Sequence, residues 1–142
     1  MKPFVIAILS CLAAPLSAQD STVYDVDGSF DDAAFGVEQA IIGRGLVVDW
    51  VSHVGEMLER TRDATGSEVK IFDNADIFLF CSASVSRKVM EADPANIAHC
   101  PYAVFVTEKD GMVQVGYRNQ PAGAMQDVQT LLDEIAREAA GR

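Results

Sequence analysis

The stretch from Asp76 to Glu108, DIFLFCSASVSRKVMEADPANIAHCPYAVFVTE, decides how the chain is read. Ile77 to Cys81 is apolar at nearly every position, which predicts a central strand covered on both faces. Ser82 or Ser84 offers an N-cap oxygen to a helix running through Met90, with Val85 and Val89 on its buried side. Asp93-Pro94 ends that helix, because a residue before proline avoids helical angles. Pro101 opens a second strand, Tyr102 to Glu108, at the position where its missing N–H does least harm. Two of the three cysteines, Cys81 and Cys100, therefore fall at the end of one strand and at the approach to the next.

The combination of a strand ending in Cys81, a helix carrying Lys88-Val89-Met90-Glu91-Ala92-Asp93-Pro94, a proline before an apolar strand and a closing Glu108 resembles the domain of unknown function 302 family. The resemblance implies a small mixed sheet with helices packed on it, over nearly all of the chain beyond its first residues. It implies no activity. The family pattern has Asn-Pro after the first cysteine, where this chain has Ser82-Ala83. It has Leu-Pro-Cys before the second strand, where this chain has His99-Cys100-Pro101-Tyr102. Whatever role the family cysteine has thus passes to Cys81 alone.

Downstream, Lys109-Asp110-Gly111 is a tight-turn signal that folds Met112 to Arg118 back as a hairpin. Met125, Val128, Leu132, Ile135 and Ala139 recur at helical spacing and predict a last amphipathic helix. Upstream, Thr22 to Val26 alternates as a strand. Ser29 caps a helix with Asp31 and Asp32 at its positive end and Phe30, Ala33, Val37, Ala40 and Ile41 on one face. Gly43 and Gly45 stop it. In the strand Leu46 to Val54, Leu46, Val48, Trp50 and Val54 face one way, and Val47, Asp49, Val51 and His53 the other. Glu56 to Thr65 reads as a charged helix capped by Gly66, and Val69 and Ile71 as a brief strand. Trp50, Phe78, Phe80 and Phe105 are assigned to the core. The order β-α-β-α-β-α-β-β-α predicts an α+β two-layer sandwich, a small mixed β-sheet with helices packed on it.

At 142 residues the chain has room for one domain. Lys2, the apolar run Phe4 to Leu16 and the small Ala18 have the layout of a secretory signal peptide over residues 1–18, cut after Ala18, with the domain at 19–142. The alternative is a lipoprotein anchored through Cys11. Loss of Lys2, the sole charged residue before Asp20, takes the formal charge from −10 to −11. Such a surface repels phosphate backbones and argues against nucleic acid as a partner. No other apolar stretch reaches the length of a membrane span. The expected localisation is periplasmic or secreted.

Cys81, His99 and Cys100, with His53 or Met90 added, are the candidate ligands of a soft metal such as zinc or copper(I). No short Cys-x-x-Cys or His-x-x-x-His spacing accompanies them. Cys81 ahead of a helix also has the position of an activated thiolate, with His53 or His99 as base. No glycine-rich phosphate loop and no cofactor motif is present, so the cofactor is unknown. In an oxidising compartment Cys81 and Cys100 form an even pair once Cys11 is removed, and a disulfide between them is expected. The half-polar face of Leu46 to Val54, with Val47 and Val51, predicts a homodimer. The reading is an exported soluble binding or accessory module. The alternative is a metal-handling or thiol-dependent protein using Cys81, Cys100 and His99 or His53.

Overall fold

Among the described residues five strands form a single sheet in the order β1-β5-β4-β3-β2, and every neighbouring pair is antiparallel. The strands are β1 (Ser21–Val26), β2 (Val47–Ser52), β3 (Asn74–Cys81), β4 (Tyr102–Lys109) and β5 (Met112–Arg118). The helices are α1 (Phe30–Gly43), α2 (Val54–Thr61), α3 (Ala83–Ala92) and α4 (Gln126–Ala139), with 3₁₀ turns at Asp63–Thr65 and Pro94–His99. This computed structural model describes residues 20–142; the expected signal peptide and Cys11 lie outside the described residues.

The expected α+β sandwich of one sheet and packed helices is present, but the sheet is not mixed. The β1-α1-β2 unit is a crossover whose two strands run the same way without ever meeting. Three antiparallel strands stand between them, so β1 and β2 become opposite edges. α1 spans the sheet to link those edges.

One face of the sheet is buried under α1 and α4. Val26 and Val113, Tyr24 and Val115, and Thr22 and Tyr117 pair across β1 and β5 on this side. Phe78 and Val104, and Phe80 and Tyr102, do the same across β3 and β4. Ala33, Val37, Ala40 and Ile41 of α1 meet them with Val128, Leu132, Ile135 and Ala136 of α4. Full burial of a side chain such as Phe80 or Leu132 stabilises the fold by roughly 1.5–3 kcal/mol. The spacing that identified α1 and α4 thus selects the faces that bury.

The opposite face carries neither α1 nor α4; α2 meets β3 only near Ala75, which is buried, so the expected cover of β3 on both sides holds at that end and fails beyond it. Ile77 and Leu79 of β3 are half-exposed there, as are Ala103 and Phe105 of β4. Trp50 is also corrected, from core to surface, with 67% of its area exposed. The cause is a β-bulge between Val48 and Trp50, where the register against β3 slips by one residue at Asp49. A one-residue insertion turns the following side chains over. Val48 and Val51 therefore pack on the core side, and Val47 and Trp50 point with Leu79 to the open face. Val69 and Ile71 form no strand; both are exposed in the irregular segment before β3.

α4 is fastened to the β1–β5 edge by a carboxylate. Asp133 accepts hydrogen bonds from the hydroxyls of Tyr24 and Tyr117, the latter at 2.8 Å, and from Arg137 Nε at 2.8 Å. Arg137 also lies over the Tyr24 ring, 5.2 Å from its centroid. Burial alone would raise the Asp133 pKa, but the hydrogen bonds from Tyr24, Tyr117 and Arg137 outweigh it and hold the carboxyl below its usual range. A depressed carboxylate contributes stability that is present above the unfolded-state pKa and is lost as pH falls through the folded one. Asp133→Asn is expected to destabilise the domain by roughly 2 kcal/mol at neutral pH. In urea melts the gap to the parent should shrink below about pH 4, where the unfolded carboxyl protonates. A gap that stays constant down to acid pH would contradict this role.

Candidate functional site

The cysteines meet because the chain leaves the sheet and re-enters it at the same end. β3 stops at Cys81, α3 starts two residues later with Ser82 as its N-cap, and the 3₁₀ turn hands the chain back through Cys100 to β4. Ser82 Oγ accepts from the Val85 N–H, and Asp93 caps the 3₁₀ turn by accepting from the Ala95 N–H at 2.9 Å. Asn96 Nδ2 donates to the Val89 carbonyl at 2.8 Å and folds the turn against α3. Phe80 pairs with Tyr102, so the residue after the first and the residues before the second are neighbours. The Cys81 and Cys100 sulfurs are 2.8 Å apart, and both are free thiols.

Cys81 is exposed, Cys100 half-buried, and neither belongs to the core cluster. Loss of local solvation pushes the Cys81 thiol up to about 12, helped by its hydrogen bond to Cys100 and by the charges of Cys100 and Asp49. A backbone hydrogen bond from Tyr102 opposes this. The expected activated thiolate at Cys81 is thus not what its surroundings favour. The helix N-terminus is outweighed by desolvation, by the hydrogen bond to Cys100 and by the Asp49 carboxylate.

The histidines go elsewhere. His53 precedes α2, and its Nδ1 lies 2.8 Å from Asp76 Oδ1. The hydrogen bond to Asp76, with the charge of that carboxylate, raises the His53 pKa. Asp76 and Cys81 lie five residues apart on β3, roughly 16 Å at the rise of a strand. His53 is therefore remote from the thiol pair. It lines a separate groove of about 430 Å³ with Glu56, Glu59, Lys70 and Asp73. Gly55 lets α2 approach this closely, since a Cβ there would sit 2.6 Å from the Ala75 nitrogen. Among the described residues no group of three or more His, Cys, Asp or Glu converges as a metal site requires.

His99 lines a groove of about 360 Å³ at the end of the open face. Its floor is Ile77, Ala103 and Phe105; its rim is formed by His99 and Pro101 on one side and Asp20, Arg118 and Gln120 on the other. Phe105 can lie flat on the sheet because its cross-strand partner is Gly116. A Cβ on Gly116 would come within 2.4 Å of the Phe105 ring. Arg118 makes no ion pair among the described residues. Gln120 Nε2 donates to the Arg118 carbonyl at 2.9 Å, and its Oε1 is buried without a hydrogen-bond partner. The sequence reading did not single out Arg118, Gln120 or Phe105 for this site. Gly116 inside a strand pattern was the available signal, since such a glycine marks a close approach.

A family model for a domain of unknown function, DUF302, matches residues 22–142. The chain belongs to the DUF302 family. The match takes in all four helices, every strand but the first residue of β1, Cys81 and Cys100, and the groove apart from Asp20 and Ser21. A crystal structure of an uncharacterized conserved protein DUF302 from Bacillus stearothermophilus has the same fold, with a TM-score of 0.70 at 18% identity. The similarity covers 86% of this chain and 99% of that one. No curated protein matches the sequence. DUF302 membership thus accounts for the architecture and assigns no reaction to the groove or the thiols.

Proposed function

We propose that this DUF302 domain is an exported binding module that takes a small amphipathic ligand on the open face of its sheet. The observation that carries the reading is the groove over Ile77, Ala103 and Phe105, where an apolar floor meets an unpaired Arg118. Ligand sites are concave and mostly apolar, with a few polar groups that fix orientation. Here the floor takes the apolar part and Arg118 an anionic end. The chain as a whole is acidic, but exposed charges farther off than about 8 Å are largely screened at physiological salt. Arg118 supplies the positive charge at its end of the groove, on the same rim as Asp20. The same acidity supports a module that does not bind nucleic acid. Export is supported by the layout of residues 1–18.

The probe is 8-anilinonaphthalene-1-sulfonate, an aromatic anion. Fluorescence titration of the mature domain is expected to give saturable one-to-one binding. Arg118→Gln should weaken it about tenfold, or roughly 1.4 kcal/mol. Non-saturable binding, or equal affinity in Arg118→Gln and the parent, would remove the groove as the ligand site.

The thiol pair supports a second statement, that Cys81 and Cys100 are joined in the mature protein. Their sulfurs lie less than an ångström beyond the bonded separation of about 2.05 Å. An exported protein meets an oxidising compartment. Thiol titration of the denatured, unreduced protein should find no reactive thiols; two per chain would contradict the bond.

Val47 and Trp50, 70% and 67% exposed at the β2 edge, are read as the contact with a second copy in a symmetric dimer. Light scattering should report a dimer that Trp50→Lys dissociates; a monomer at every concentration would contradict it.

A further inference from the structure

We propose that Cys81 and Cys100 form an exchangeable dithiol–disulfide couple that reacts with low-molecular-weight thiols and disulfides, neutral or cationic, through Cys81. This rests on the pair being able to bond and is independent of what the groove binds.

The core does not depend on the state of the pair. The two sulfurs are within reach of a bond while the thiols are free, and every contact of the core cluster is made without them. A disulfide that holds a core together resists reduction, whereas an exposed one is labile. Cys81 is the exposed member, on the surface between the edge strand, where it pairs with Val47, and the start of α3.

The direction of attack follows from the surroundings of each sulfur. In the oxidised protein an external thiolate forms a bond to Cys81 Sγ as the Cys81–Cys100 bond breaks. The electron pair of that bond leaves on Cys100 sulfur, which the Cys81 side chain adjoins. A second external thiolate attacks the external sulfur of the mixed disulfide and expels Cys81, giving a small disulfide. Two protons, released by the two external thiols, end on Cys81 and Cys100. Two electrons enter the protein and two thiols are oxidised. Attack at Cys100 would instead expel Cys81 first, from a site where lost local solvation and the Asp49 carboxylate oppose its thiolate. Such a thiol is the poorer leaving group. Half-burial of Cys100 works in the same sense.

Charge selects the partner. Asp49 acts on Cys81 directly, and the chain carries a net −10. An anionic thiol or disulfide is repelled from both, and a cationic one is attracted, with an effect on rate that falls with ionic strength.

The test uses cystamine, a small dicationic disulfide, on the reduced full mature domain, read by intact mass and peptide mapping. The parent should lose two hydrogens as its internal disulfide closes. In Cys100→Ser, which removes the Cys100 contributions that hold the Cys81 thiol up, the exposed Cys81 should retain a cysteamine adduct, and the half-buried Cys100 of Cys81→Ser should gain adduct about tenfold more slowly. Circular dichroism of each variant verifies folding. The oxidised parent needs no variant, and cysteamine should reduce it within minutes to an hour, faster than glutathione at low salt. An adduct forming at least as fast in Cys81→Ser as in Cys100→Ser would overturn the assignment of Cys81. Oxidised parent that stays intact for a day in excess cysteamine would show a purely structural bond. Glutathione matching or outpacing cysteamine at low salt would overturn the charge selection. The thiol count of the protein as isolated is a separate result, because an exchangeable couple can be isolated in either state.

Discussion

The packing of α1 and α4 on a single face of the sheet is the constraint from which the remaining features follow. Val104, Val106 and Val115 are wholly buried beneath them, with Phe80, Tyr102 and Tyr117 filling the ends. At roughly 1.5–3 kcal/mol for each large apolar side chain, this layer is the main favourable term in the fold. Both long helices are spent on it. α2 and α3 are short; α2 meets β3 near Ala75 and leaves the rest of the second face without a cover. Half-exposed Ile77, Leu79, Ala103 and Phe105 result, and an apolar patch of this kind marks a surface that meets something.

The same packing sets the thiol geometry. Because β3 and β4 are antiparallel neighbours in the sheet, the link between them must begin and finish at one end. α3 runs away from that end and the 3₁₀ turn returns to it, held by Asn96 on the Val89 carbonyl. The register that pairs Phe80 with Tyr102 then leaves Cys81 and Cys100 nothing to do but meet. Their approach is a consequence of strand pairing, so it needs no metal and no covalent bond to be made.

Much of this was legible in the residues. The spacing of Ala33, Val37, Ala40 and Ile41 in α1, and of Val128, Leu132 and Ile135 in α4, reports burial directly, because a helix face is a local property. The Asp110-Gly111 hairpin and the Ser29 and Ser82 caps are local as well, and each is present. What was not legible depends on partners far away in sequence. The bulge at Asp49 has no composition signal, yet it moves Trp50 from one face to the other. An apolar run such as Ile77 to Cys81 reads alike whether its second face meets a helix or stands open. The groove joins Asp20, Ile77, His99 and Arg118, which only the strand order brings together. His53 and Cys81 looked like members of one ligand set, but they sit at opposite ends of β3.

The sole tryptophan reports on the central claim, that the sheet has one buried face and one open face. Trp50 fluorescence should be measured with acrylamide quenching, at a dilution where light scattering gives the monomer mass. A bulge at Asp49 and an uncovered face predict the red-shifted emission of a wet indole, quenched nearly as freely in the folded as in the unfolded protein. Blue-shifted emission that resists acrylamide until the domain unfolds would place Trp50 in the core, as unbroken alternation along β2 would have it, and would contradict the open face.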